Sequence, residues 1–308
     1  MTKPAATVEQ VADYLTRWHH QPVKDVVPLA GGFWSAAFGY TVDDRELVFR
    51  LGTIPEGFEA DRAAMEYNSP ELPVPEILHI GEAIGWPCAI SVRHHGRFLE
   101  SIEPSEADVT RHTVGRLLGA LRAAPKSGQP THEPRSWRRW LLSGLVDDPT
   151  SRTAGWRRSL AADSALNALF VACERRVTEL VEACPERRDL VHGDLLHGNV
   201  LLTPDGAAVS AVFSWKCSVR GDFLFDTAWC TFWGPWHPGV ASAEPWEATV
   251  TATDLTEADL TDAAVRHHCY ELQIGASHFG WYLWTQDKEN LRKAAMQAAQ
   301  ILERGPLH

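Results

Sequence analysis

The chain has 308 residues, 44% of them hydrophobic, and a formal net charge of −11. That length allows two lobes with cores of their own, and no run of roughly 18 apolar residues offers a membrane span. The acidic balance argues against a nucleic-acid platform, which needs a basic face; it suits a cationic small-molecule partner and equally serves plain solubility. The start lacks the apolar stretch of a signal peptide, and the six cysteines form no C-x-x-C pair. A cytoplasmic location with reduced thiols serving as small apolar groups is the expectation, with Cys173 and Cys184 suited to burial on one helix; a monomer is expected as well.

The elements follow in chain order. Apolar Val8, Val11, Ala12, Leu15 and Trp18 recur at helical spacing over Val8–His19. A strand is expected at 25–29, then a loop at 30–35, then strands at 37–42 and 46–51 around the turn-forming Asp43-Asp44. A helix over 58–68 is stopped by Pro73-Val74-Pro75, and short strands follow at 76–80 and 89–92. This is a five-stranded antiparallel sheet with one main helix.

The pattern then becomes helical. Val114, Leu117, Leu118 and Leu121 mark one helix, and Leu166, Leu169, Phe170, Cys173, Val177 and Val181 mark a second, with Asp163 as its cap. The Pro-, Trp- and charge-rich stretch 126–152 reads as a surface wrap. A hairpin is expected from Val200–Leu202 and 209–213, and a helix over Ala263–Thr285. The fold class is α+β: a small sheet lobe at 1–95 and a larger, mostly helical lobe at 96–308, the two-lobe plan of a protein kinase.

His192-Gly193-Asp194-Leu195-Leu196-His197-Gly198-Asn199 carries the chemistry. An aspartate followed five residues later by an asparagine is the spacing of a kinase catalytic loop. There the aspartate accepts the proton of a substrate hydroxyl, and the asparagine amide oxygen helps hold Mg²⁺. Asp194 is the expected base and Asn199 a metal ligand. His192 reads as a prop of the loop, and His197 has no assigned role.

Gly31, Gly32 and Ser35 lie in Gly31-Gly32-Phe33-Trp34-Ser35, between two strands, where a loop covering a nucleotide belongs. Arg50 interrupts an apolar strand and either meets the α- and β-phosphates of a nucleotide or snorkels to water, with Asp61 favoured over Glu66 as its orienting partner. Ser91 and Val92 form the hinge that would meet a nucleobase through backbone groups.

The catalytic loop, the hairpin, Ser214-Trp215 and the run from Gly221-Asp222 to Asp226-Thr227-Ala228-Trp229 resemble the aminoglycoside phosphotransferase family. Three further segments resemble its hygromycin B branch: residues 57–62, 72–82 and 232–236. The resemblance implies a kinase-like fold, ATP (or GTP) with Mg²⁺, and phosphorylation of a hydroxyl on a cationic antibiotic. Asp226, Trp233 and Trp236 fall within the resembling segments and are expected near the acceptor. Beyond residue 240, where little resemblance is left but the family shapes its acceptor pocket, Glu271, Trp281, Trp284 and Asp287 are candidates.

One position departs from the pattern. Ser214 stands where the family places its main metal-binding aspartate. Serine is neutral and a poor ligand beside a carboxylate, and metal stabilisation of a moving phosphoryl group is worth several kcal/mol. Three accounts stand: a variant of a working kinase, a pseudokinase that holds nucleotide or antibiotic without transfer, or recruitment of another carboxylate, with Asp222 the nearest in sequence.

Overall fold

A computed structural model of the protein describes residues 3–32, 34–252 and 254–307. In chain order the elements are α1 (Val8–His19), β1 (Lys24–Leu29), β2 (Ser35–Val42), β3 (Arg45–Gly52), α2 (Pro55–Ala63), β4 (Ile77–Ala83), β5 (Trp86–Val92), β6 (Arg97–Phe98), α3 (Ala107–Ala123), α4 (Trp137–Ser143), α5 (Trp156–Ala161), α6 (Ser164–Leu180), β7 (Asp189–Val191), β8 (Val200–Leu202), β9 (Val209–Val212), β10 (Val219–Gly221), α7 (Leu224–Trp233), α8 (Pro238–Ser242), α9 (Pro245–Val250), α10 (Glu257–Leu260), α11 (Ala263–Thr285) and α12 (Lys288–Arg304). They form two compact units. The first comprises Met1–Ile102, Ala124–His132 and Asp194–Ser218; the second comprises Glu103–Ala123, Glu133–Gly193 and Val219–His308.

In the first unit the expected five-stranded antiparallel sheet has the order β1-β2-β3-β5-β4. Asp43 and Asp44 both adopt positive φ, 48° and 59°, which is what a two-residue hairpin turn demands. That turn sets the β2–β3 register from Val42↔Arg45 to Ser35↔Gly52. Period-2 alternation then puts Phe38, Tyr40 and Val42 on one face with Leu47, Phe49 and Leu51, where Val11 and Leu15 of α1 close the core. A reciprocal Thr7–Gln10 capping box starts α1.

The expected helix at 58–68 begins earlier, at Pro55, because a proline fits the first helical position. It tightens to a 3₁₀ turn over Ala64–Tyr67. A second sheet of this unit, β6-β8-β9, contains the hairpin that follows the catalytic loop. Gly96 permits its close approach, since a Cβ there would lie 2.1 Å from the Leu202 carbonyl oxygen.

The second unit is helical around α11, which packs against α5, α6, α7 and α12. Asp163 caps α6 by accepting the Ala165 and Leu166 amides at 3.1 and 3.0 Å, worth about 1 kcal/mol. The surface wrap expected at 126–152 is corrected at α4. There Trp137 and Leu141 are buried, Trp137 stacks on Trp140, and its Nε1 donates to the Tyr270 hydroxyl at 3.1 Å. Among the described residues no helix is long and apolar enough to cross a membrane.

Candidate active site

The catalytic loop leaves β7 through His192 and Gly193, whose φ is 75°. Their amides donate to Asp226 Oδ2 and Oδ1 at 2.7 and 2.8 Å. Asp226 sits in the first turn of α7 and is 1% exposed. A carboxylate there satisfies one buried and one part-buried N–H group and is favoured by the helix dipole.

Asp194, next in the chain, is held from both sides. His197 Nδ1 lies 2.8 Å from Oδ1, and Asn199 Nδ2 donates to Oδ2 at 2.9 Å and to the Asp194 carbonyl at 2.8 Å. Both Asn199 contacts use the nitrogen, which leaves Oδ1 as the atom it can offer a cation. The crowded loop partly desolvates His197, whose side chain is still 43% exposed, and the Asp194 hydrogen bond with the charges of Asp194 and Glu100 carries its pKa above the ordinary value. Glu100 also anchors the loop, accepting the Gly198 amide through Oε1 at 2.5 Å.

These loop residues meet the sheet around a cavity of about 400 Å³ within the first unit. Gly31, Gly32, Ser35, Arg50, Ser91, Val92, Asn199 and Ser214 all line it; Phe33 lies outside the described residues. At Gly31 a Cβ would come 2.7 Å from the Ser35 carbonyl oxygen, so the covering loop needs glycine there. Arg50 Nη2 donates to Asp61 Oδ2 at 2.7 Å, and Asp61 Oδ1 accepts the Trp215 amide at 2.9 Å. Asp61 therefore ties the cavity's arginine to the residue after Ser214. The expected backbone role of the hinge is narrowed: the Val92 amide already donates to the Glu76 carbonyl and the Arg93 amide to the Glu46 carbonyl.

Residues 6–258 match the family described as the phosphotransferase enzyme family, APH. The chain belongs to that family. It is 29% identical over 247 residues, 77% of this chain and 70% of the relative, to hygromycin-B 4-O-kinase of Escherichia coli. A crystal structure of a thermostable mutant of aminoglycoside phosphotransferase APH(4)-Ia, in ternary complex with AMP-PNP and hygromycin B, superposes with a TM-score of 0.80. It is 25% identical, with 96% of this chain and 98% of that chain covered. Spectinomycin phosphotransferase APH(9)-Ia, in complex with ADP and spectinomycin, shares the fold at 12% identity and a TM-score of 0.62, with 98% of each chain covered. This phosphotransferase thus has the kinase-like α+β fold expected from its sequence.

The cavity suits a nucleotide: glycine backbone approaches closely and Arg50 faces inward. The donor set for a divalent cation fits less well. Asn199 Oδ1 and Ser214 Oγ are both neutral, whereas Mg²⁺ is usually held by one or two carboxylates beside the phosphates. Among the described residues no three His, Cys, Asp or Glu side chains converge in a metal-binding arrangement. Asp222 does not fill the gap. It is fully buried in the second unit, with both oxygens on Arg266 at 2.9 and 3.1 Å and the Tyr270 hydroxyl at 2.7 Å.

The residues expected near the acceptor all lie in the second unit. Trp233 and Trp236 are 5.6 Å apart between ring centroids, and Trp281 and Trp284 are 5.3 Å apart. Trp236 and Trp281 are part-exposed. Glu271 is buried, ion-paired to Arg304 at 2.5 Å and bonded to Thr231 at 3.0 Å. Asp287 caps α12 through the Asn290 amide. Sequence reasoning left out Glu100 and the His197 contact. Spacing of three residues in a tight loop could have signalled the second; nothing in sequence connects Glu100 to Gly198.

Proposed function

We propose that this protein is an ATP-dependent O-phosphotransferase acting on a hydroxyl of an aminoglycoside of the hygromycin B kind. The reading rests on one observation: Asp194 is oriented by Asn199 and His197 in a loop that borders a glycine-walled cavity containing Arg50. The acceptor oxygen attacks the γ-phosphorus, the bond from that phosphorus to the bridging oxygen of ADP breaks, and Asp194 takes the hydroxyl proton. Arg50, held by Asp61, meets the donor's phosphates. The relatives' names and complexes support the choice of acceptor.

Trp236 and Trp281 offer the aromatic surface such an acceptor would use, with Trp233 behind Trp236. Asp226 and Glu271 act one step back: both are buried and engaged by protein groups, so they support the site rather than touch the acceptor. The same reading takes the chain as a cytoplasmic monomer without a nucleic-acid partner, in keeping with its acidic charge.

The test is ATP consumption by purified protein against a panel of aminoglycosides including hygromycin B, with mass spectrometry of the acceptor. One added phosphoryl group, formed at least roughly 10²-fold more slowly with Asp194→Asn, is the expected result. ATP bound but no acceptor modified would overturn the reading.

A further inference from the structure

The cavity wall has an unusual charge. Among the described residues that line it, none is Asp or Glu. Arg50 and Arg93 supply two permanent positive charges, and His94, His95 and His197 add imidazoles. This occurs in a protein of net charge −11. The acids nearest to the wall are engaged by lining residues: Asp61 is paired with Arg50, Glu46 contacts Arg93 and His95 at 3.6 and 2.9 Å, and Glu100 takes the Gly198 amide through Oε1. Asp194 is not among the lining residues, but its two carboxylate oxygens contact His197 and Asn199, which are.

Ser214 belongs to this pattern. Its φ and ψ of 65° and 55° are left-handed, a conformation that asparagine and aspartate enter more readily than serine. The backbone thus keeps the turn on which a carboxylate would face the cavity, and the side chain there is neutral.

We infer that this cavity binds the free polyphosphate of a nucleotide directly, through Arg50 and loop amides, and that a divalent cation adds little or nothing to the affinity. The inference rests on the nucleotide-dependent reading above. The sign follows from electrostatics. In a site walled by a carboxylate, a metal-free triphosphate meets repulsion, and the cation removes it. In a wall without acids, the cation instead masks phosphate charge that Arg50 would otherwise attract.

The experiment is calorimetric titration of the full chain with AMP-PNP, in excess Mg²⁺ and in excess EDTA. Wild type, Ser214→Asp and Ser214→Asn are compared, the last as a neutral control that suits the left-handed turn. Wild type and Ser214→Asn should bind as tightly or more tightly in EDTA, while Ser214→Asp should lose roughly tenfold, or about 1.4 kcal/mol, on chelation. A wild type that loses roughly tenfold in EDTA overturns the inference, as does a Ser214→Asp protein indifferent to metal. Absence of nucleotide binding in both conditions overturns this inference and the proposed function together. Metal-independent binding without phosphoryl transfer to any acceptor leaves the inference standing and removes only the proposed function.

Discussion

Asn199 uses one nitrogen, Nδ2, to grip Asp194 twice, at the backbone carbonyl (2.8 Å) and at carboxylate Oδ2 (2.9 Å). The amide thereby fixes the plane of the carboxylate proposed as the base. Asn199→Ala should lower kcat by roughly 10- to 100-fold, the equivalent of a hydrogen bond to a charged group at about 1.5–3 kcal/mol. Asp194→Asn should cost roughly 10²- to 10⁴-fold, the usual worth of a general base. Nucleotide affinity, measured by titration, should survive in the Asp194 variant; its loss would assign the residue to binding instead.

A carboxylate at position 214 should speed the reaction. Ser214→Asp is expected to raise turnover at saturating Mg²⁺ by at least roughly tenfold, about one decade of barrier. Coupled-enzyme assays of both proteins decide it. A serine enzyme that matches its aspartate variant would show that the transfer step needs no anionic ligand there.

Asp226 should matter to stability before it matters to chemistry. Asp226→Ala strips the His192 and Gly193 amides of their acceptor in a buried place. At about 1–3 kcal/mol for each orphaned group, the loss should be about 2–6 kcal/mol. Urea denaturation reads it directly; an unchanged midpoint would mean that solvent replaces the carboxylate.

His268 should make the fold sensitive to acid. It is 1% exposed, and burial lowers its pKa from 6.5 to about 4, helped by the charges of Arg304, Arg176 and His267 and opposed by Glu271. The unfolded chain therefore takes up the proton first. Its stabilising contribution is complete above pH 6.5 and is lost as pH falls toward 4, by about 3 kcal/mol at most. Denaturation midpoints across that window should fall steeply in the wild type and less so in His268→Gln. Parallel curves for the two proteins would remove His268 from the account.

The sequence made the sheet legible because alternation and the Asp43-Asp44 turn are local signals. Val8–His19 and Ala263–Thr285 were equally legible as helices, their apolar spacing being unbroken. Element ends were less so: the start of α2 hung on a proline that fits as well before a helix as within its first turn. The burial of α4 depended on a partner, Tyr270, far along the chain. The active-site loop could be read because one short segment holds Asp194 and Asn199. The absence of acids from the cavity wall could not, because that property belongs to residues gathered from five separate stretches and appears only once they meet.

Asp61 joins two distant parts of the chain through one side chain: its oxygens hold an arginine on β3 and the main-chain amide of Trp215, 154 positions after Asp61. A helix end that shifts by an ångström would carry both along. Tuning either by mutation is therefore never independent of the other, and screens for altered donor preference should yield paired changes at α2 and around Trp215 more readily than isolated ones.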